Sequence, residues 1–151
     1  MSGKISDNLG RSSGLLKAVS GAAVLSATQT NGPTARQSFT NTSYAEPSTN
    51  LEVTITPQST SSKILIICGT GNVRKAIATI FRDSTNLGDA SNGLQVGVAD
   101  WDPMGLVYLD SPATTSEIVY TWQFLVEGQT GTGYINNNGE HHHMQCIEIK
   151  V

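Results

Sequence analysis

The sequence predicts an all-β fold, a jelly-roll-like β-sandwich over residues 26–151 that follows an extended N-terminal arm over residues 1–25. Three observations support it. Apolar and polar residues alternate in 51–56 and again in 118–126, which is typical of strands with one buried face. An unbroken apolar run, residues 64–68, has the composition of a buried strand. Turn residues recur about every dozen residues, as they do in sandwiches and barrels.

The N-terminal arm has no sustained hydrophobic period. Its apolar residues are scattered among glycines and serines, so it cannot bury a face of its own. We expect it to contact a neighbouring subunit or another protein, although it would also be stabilised by lying across its own domain. The residues proposed for assembly are Leu9, Arg11, Leu15, Leu16 and Lys17.

The first strands of the domain are polar. Residues 24–30 read as a strand that ends at an Asn-Gly-Pro turn, and residues 37–44 carry Phe39 among serines and threonines, as expected of an edge strand. A break at residues 47–50 precedes the most regular part of the chain.

A hairpin is predicted around residues 51–68. Leu51, Val53 and Ile55 share one face, and Pro57 followed by a serine-rich run forms a polar turn. The apolar run 64–68 then forms a strand that is dry on both faces, closed by two glycines at positions 69 and 71.

Residues 72–83 fit two structures. Val73, Ile77 and Ile80 have helical spacing, whereas Ile77 and Phe81 also fit the alternation of a strand. Residues 84–93 form a long polar loop.

The remaining chain is strand-like. Residues 94–99 and 105–109 are short strands separated by an Asp-Trp-Asp-Pro segment, and the strand over 118–126 has the clearest alternation in the sequence. A glycine-rich turn leads to a short strand at 134–135, and residues 141–151 form the last strand.

The composition argues against several classes of protein. Nine basic and twelve acidic residues give a net charge of −3, which argues against a nucleic-acid partner held by a basic surface. No segment reaches the about 18 apolar residues of a membrane span, and the interrupted N-terminus does not fit a signal peptide. Scarce charges among many Ser, Thr, Asn and Gly residues suit an extracellular or particle surface better than a metabolic enzyme.

Three segments carry a family resemblance. The stretch ITPQSTSSKILII at 55–67 resembles an "ITP-ST-SKIL" signature of small virion structural and tail-fibre-like proteins of tailed phages, particularly marine ones. Segments 107–112 (VYLDSP) and 147–149 (IEI) are similar to parts of the same proteins in the same order. The N-terminal SDNLGRSSGLLKAV resembles the leader of marine phage fibre-like proteins.

The resemblance implies a non-enzymatic virion protein, assembled in the host cytoplasm and then carried on the particle, with a strand over residues 72–83. A cytoplasmic origin implies that Cys68 and Cys146 are reduced, although neighbouring strands would also allow them to pair. The role would be capsid decoration (cement) or a short fibre, anchored to capsid or tail proteins through the arm. The alternative is a tail fibre or a receptor- or carbohydrate-binding module that recognises the host surface.

The apolar strands predict self-association, with a trimer as the expected state. The residues assigned to the core or to the oligomer contacts are Ile64, Leu65, Ile66, Ile67, Tyr120, Trp122 and Phe124. Two aromatic residues in turns, Trp101 and Tyr134, are candidate surface contacts for sugars or subunits, although a Trp in a loop also serves to cap its own core.

No cofactor and no catalytic residue is predicted. The Gly69-Thr70-Gly71 segment imitates a dinucleotide-binding turn, but Arg74 replaces the third glycine and no βαβ repeat follows. The acids Asp100, Asp102, Asp110 and Glu117, taken with His143, have no motif that fixes their geometry.

Three consecutive histidines, 141 to 143, raise the question of a metal site. His141 and His143 point the same way in a strand, and in a trimer they would supply six imidazoles, as in His-x-His sites of trimeric phage spikes. No acidic or cysteine ligand has suitable spacing, so we assign no metal and interpret the segment as a polar strand entrance.

Overall fold

The computed structural model describes residues 24–32, 34–47, 51–97, 101–136 and 139–151, and they form eleven strands with a single 3-10 turn at Glu127–Gln129. The strands are β1 Val24–Asn31, β2 Gln37–Phe39, β3 Glu52–Ile55, β4 Lys63–Arg74, β5 Ala76–Arg82, β6 Thr85–Asn86, β7 Gln95–Gly97, β8 Asp102–Asp110, β9 Ile118–Val126, β10 Gly133–Ile135 and β11 His143–Ile149.

The first sheet is built on the long strand β4. Strand β8 runs along one edge of β4, from Ile64 to Val73, and all pairing is antiparallel. On the other edge β11 pairs with the first half of β4 and β10 with its end, and these two strands lead outward to β1 and β2. Among the described residues, β8 therefore has β4 as its only ladder partner.

The second sheet is centred on β9 and β5. Strand β3 pairs with the start of β9, β5 pairs with residues 120–126 of β9, and the short strands β6 and β7 lie on the far edge of β5. The chain near Ala45 continues the line of β3, because the amide of Phe124 donates to the Ala45 carbonyl at 2.9 Å.

The core lies between the two sheets. Tyr120, Trp122 and Phe124 of β9 are fully buried, and the rings of Trp122 and Phe124 are 4.8 Å apart between centroids. Phe39 of the first sheet packs against Phe124 at 5.9 Å. The predicted fold class, an all-β jelly-roll-like sandwich, is confirmed. The strong alternation of β9 dictates which of its faces is inside.

The predicted hairpin is wrong, because β3 and β4 belong to different sheets. Leu51 and the buried residues of β3, Val53 and Ile55, share the core with the buried face of β4 instead of lying beside it. The polar segment between the two strands crosses from one sheet to the other. Two apolar faces can bury each other in either arrangement, so alternation alone does not distinguish a hairpin from a sheet crossing.

Strand β4 is longer than predicted. Gly69 and Gly71 do not close it, and it continues to Arg74 with an irregularity in its pairing between Thr70 and Asn72. Its outer face is only half-buried, so the prediction of two dry faces is also wrong.

The ambiguous segment 72–83 is extended. It contains the end of β4, a turn at Lys75 in a left-handed conformation (φ 48°) and then β5, which ends before Asp83. The alternative of a helix is excluded because β5 forms a seven-residue ladder with β9.

The other boundaries move by a few residues. The edge strand predicted at 37–44 is only three residues long, and β8 begins at Asp102, inside the segment predicted as a connection. The loop at 84–93 holds the two-residue strand β6. The arm residues Leu9, Arg11, Leu15, Leu16 and Lys17 lie outside the described residues.

Candidate binding surface

The outer face of the first sheet carries an apolar patch. In β4, Ile64, Ile66 and Cys68 point into the core, so Leu65 and Ile67 point outward. Leu65 lies between Ile147 of β11 and Leu109 of β8, and Ile67 lies opposite Val107. We call the five outward residues Leu65, Ile67, Val107, Leu109 and Ile147 the outer apolar patch.

Exposure distinguishes this patch from ordinary surface. Val107 is 68% exposed and Leu109 49% exposed, and both belong to β8, which pairs with no strand except β4 among the described residues. Their neighbours in the patch are half-buried by the sheet itself. An exposed contiguous apolar surface on a free strand edge is a site at which proteins associate.

The patch accounts for part of the predicted oligomer residues. Leu65 and Ile67 lie in it, whereas the other predicted residues are buried in the molecule's own core and cannot meet a partner. These buried residues are Ile64, Ile66, Tyr120, Trp122 and Phe124. The unbroken apolar run 64–68 gave no indication of which of its residues face outward, because the alternation is masked when both faces are apolar.

Small residues separate the patch from the far end of the same face. Gly69 has the ring of His143 against it, and a Cβ at Gly69 would lie 2.5 Å from that ring. Gly71 is covered in the same way by the side chain of Glu140, which accepts a hydrogen bond from the side-chain nitrogen of Asn72 at 2.8 Å.

Four side chains form a stack beyond these glycines. The rings of Trp101 and Tyr134 are 5.6 Å apart between centroids and tilted by 42°. The guanidinium of Arg36 lies 5.3 Å from the centre of the Tyr134 ring, and that of Arg74 lies 6.0 Å from the Trp101 ring. Both distances are typical of cation–π contacts. We call these four residues the Arg–aromatic stack.

Four separate parts of the chain supply the stack. Tyr134 of β10 lies opposite Arg74 at the end of β4, Arg36 directly precedes β2, and Trp101 directly precedes β8. Trp101 has a left-handed backbone (φ 58°), a conformation that bulky residues rarely adopt and that is frequent at functional sites.

The two predicted aromatic contacts are therefore brought together. The sequence named Trp101 and Tyr134 as separate turn residues and missed Arg36 and Arg74. The only available signal was that Arg74 interrupts the glycine motif, which excludes a nucleotide site but does not suggest another role. Gly69 and Gly71 lie inside a strand, so the turn that such a site needs is absent from this described segment.

The histidines do not converge on one point. His141 is exposed, His142 is fully buried, and His143 is half-buried against Gly69. The described residues contain no group of three His, Cys, Asp or Glu side chains that could hold a metal ion. A His141/His143 site shared between copies of the chain stays the alternative hypothesis.

His142 belongs to a buried polar network. Its Nδ1 contacts the side-chain nitrogen of Asn136, and the hydroxyl of Thr70 donates to the Asn136 side-chain oxygen at 2.7 Å. Burial, together with the charges of His141 and His143, lowers the pKa of His142 to about 4. His142 is therefore neutral at pH 7 and acts as a packing residue.

The acidic residues do not form a catalytic group. Asp110 is buried and binds Arg82 and the Tyr120 hydroxyl, while Asp102 and Glu117 are exposed at separate places. Asp100 lies outside the described residues.

Cys68 and Cys146 are free and buried on the core face of neighbouring strands. Burial raises the pKa of Cys146 to about 12, and burial with the nearby Cys146 also raises the pKa of Cys68. Because the thiolate is the reactive form, we expect neither thiol of the native protein to react with a thiol-specific chromogenic disulfide. Both should react after unfolding in guanidinium chloride. Fast reaction of either native thiol would contradict the expectation, and no reaction after unfolding would indicate a disulfide.

No protein-family model matches this chain, and no curated protein matches it significantly. Among the described residues, no helix is long and apolar enough to cross a membrane.

Proposed function

We propose that this chain is a non-enzymatic structural protein that associates with copies of itself through the outer apolar patch. The observation that carries the proposal is the exposure of Val107 and Leu109 beside the half-buried Leu65, Ile67 and Ile147. None of the five side chains is charged. A partner therefore gains most by presenting an apolar surface, and each copy of the chain presents one.

The patch and β1 lie toward opposite edges of the first sheet. The patch reaches β8, which among the described residues pairs only with β4, whereas β1 is the last described strand in the other direction. The N-terminal arm joins the domain at the start of β1. The arm and the patch therefore start from opposite edges, so one can anchor the protein while the other binds neighbouring copies.

The specific role we propose is a virion structural protein of a tailed phage, assembled in the host cytoplasm. The segment at 55–67 and the two other similar segments support this role by resemblance. The protein would decorate the capsid as a cement protein or form a short fibre, as a trimer attached to capsid or tail proteins through residues 1–25.

A second candidate is a tail fibre or a receptor-binding module that recognises host carbohydrate. The contact between Trp101 and Tyr134 favours it, because paired surface aromatics are typical of sugar-binding sites. Self-association and sugar binding use opposite ends of the same face and are compatible.

Light scattering of the full chain tests self-association. We expect the wild type to have three times the mass of one chain, and the double variant Val107→Lys with Leu109→Lys to be a monomer. Two ammonium groups at an apolar contact would have to lose their hydration without gaining a partner. Both positions are solvent-exposed in the single chain, so the fold should be kept.

The matched control is Val96→Lys. Val96 is an exposed valine (40%) on β7, at the edge of the second sheet. We expect this variant to keep the mass of the wild type. A wild type that is monomeric at every concentration tested, or a double variant that still assembles, would exclude the outer apolar patch as the interface.

A further inference from the structure

We infer that the Arg–aromatic stack binds the carboxylate groups of an acidic polysaccharide, a linear polymer of uronic acids. This inference names the ligand class and two further residues for the carbohydrate-binding candidate, and it does not depend on self-association. It starts from the two guanidinium groups at the ends of the stack, Arg36 on Tyr134 and Arg74 on Trp101.

A guanidinium that lies on an aromatic ring keeps its N–H edges available. Its flat face contacts the ring, and its in-plane donors match the two oxygens of a carboxylate. Within the described part of the chain, neither Arg36 nor Arg74 forms an ion pair.

The surroundings do not hold any polyanion by long-range charge, so binding must depend on local contacts. Asp102 follows Trp101, Glu140 is held by Asn72 two residues from Arg74, and the whole chain has a net charge of −3. The region therefore has no general positive field with which to attract phosphate polymers. What it offers is local: two planar cations separated by two half-buried rings that can contact the apolar faces of sugar units.

The spacing of the two cations favours a polymer. Arg36 lies over the Tyr134 ring and Arg74 over the Trp101 ring, so each guanidinium offers a carboxylate a separate contact. A chain with a carboxylate on successive sugar units can occupy both ends at once, and the second contact is strengthened because it forms within the same complex.

Calorimetric titration of the full-length protein tests the inference, with polygalacturonate and alginate, two polymers of uronic acids, as probes. We expect at least one of them to bind. Arg36→Gln and Arg74→Gln should each weaken binding roughly tenfold or more, since bidentate charge-assisted contacts are lost. Tyr134→Phe keeps the ring and should bind like the wild type.

The matched control is Lys63→Gln. It makes the same change in net charge at the opposite end of β4, far from the stack. An equal loss of binding in this variant would mean that net charge alone holds the polymer, which would overturn the assigned site. Light scattering and thermal unfolding of every variant serve to check that assembly and fold are unchanged.

Two further probes separate the other outcomes. If fully methyl-esterified polygalacturonate binds as well as the acid form, the carbohydrate-binding candidate survives and the role of the carboxylates is wrong. If polyphosphate binds equally well and the same arginine variants lose it, the site recognises anions and not sugars. If neither of the two polyuronates binds, both the inference and the carbohydrate-binding candidate fail, while the proposed self-association is unaffected.

Discussion

Replacing Asp110 with alanine is expected to lower the free energy of unfolding by about 3 kcal/mol, because it leaves two polar groups without their partner. One Arg82 nitrogen donates to both carboxylate oxygens of Asp110 at 3.0 Å, and the Tyr120 hydroxyl donates to the same carboxylate at 2.6 Å. Asp110 ends β8 of the first sheet, whereas Arg82 and Tyr120 belong to the second. These contacts therefore join the two sheets at one end of the core.

The loss of stability in Asp110→Ala should come mainly from Tyr120 and only to a small extent from Arg82. Tyr120 is fully buried, and its hydroxyl would be left without an acceptor. Burial, with the hydrogen bond to Asp110, raises the pKa of Tyr120, so it remains a donor throughout the accessible pH range. The Arg82 side chain is 27% exposed and would regain water, which keeps its share small.

Denaturation in guanidinium chloride measures the effect. We expect a lower midpoint with an unchanged slope, since the surface exposed on unfolding hardly changes. Tyr120→Phe is the matched control: it keeps the Arg82–Asp110 pair and should cost only about 1 kcal/mol, the net value of one hydrogen bond. If the free energy of unfolding of Asp110→Ala lies within about 0.5 kcal/mol of the wild-type value, the contact does not stabilise the packing of the two sheets. Neutral surface changes scatter by about this amount.

Replacing Glu148 with glutamine is expected to cost about 2 kcal/mol at pH 7. Glu148 is fully buried in β11. One carboxylate oxygen accepts a hydrogen bond from the backbone N–H of Gln58 at 2.7 Å, and the other accepts one from the Ser26 hydroxyl at 3.0 Å. Gln58 belongs to the segment that crosses between the sheets, so Glu148 holds that crossing in place. A neutral amide accepts these hydrogen bonds more weakly than a carboxylate.

The loss of stability in Glu148→Gln should depend on pH. Burial raises the pKa of Glu148, but hydrogen bonds from Ser26 and from the 58–62 segment outweigh it, and the pKa is lowered below its ordinary value of 4.5. A lowered folded-state pKa means that the carboxylate stabilises the protein above the unfolded pKa and that this stabilisation is lost as pH falls through the folded pKa. The difference between wild type and Glu148→Gln should be constant from neutral pH to about pH 5 and should shrink below about pH 4.5.

Urea unfolding at a series of pH values tests this expectation, with Glu117→Gln as the control. Glu117 is an exposed carboxylate, and its replacement should change stability by no more than about 0.5 kcal/mol at any pH. A Glu148→Gln deficit that persists undiminished at pH 3 would mean that the carboxylate charge does not hold the crossing.

The fold class and most of the strands follow from the sequence alone. In β3 one face is apolar and the other polar, so a single pattern indicates both the strand and its buried side. In β9 the three large aromatic residues mark the core face, although Thr121 and Leu125 of the other face are buried as well. The sequence also named Trp101 and Tyr134 as candidate surface contacts, and the structure places their rings side by side.

Where the local pattern fits two sets of buried residues, only the tertiary structure shows which set is inside. In β11 the apolar residues Met144 and Cys146 point inward, and the same alternation then places Ile147 outside and Glu148 inside. The pattern of residues 144–149 changes phase, so it cannot say which set is buried. The crossing from β3 to β4 resolves the conflict, since its backbone supplies the donors that Glu148 requires. The Arg–aromatic stack also depends on the tertiary structure. Sheet pairing brings its four segments together, and no local sequence pattern indicates that they are close.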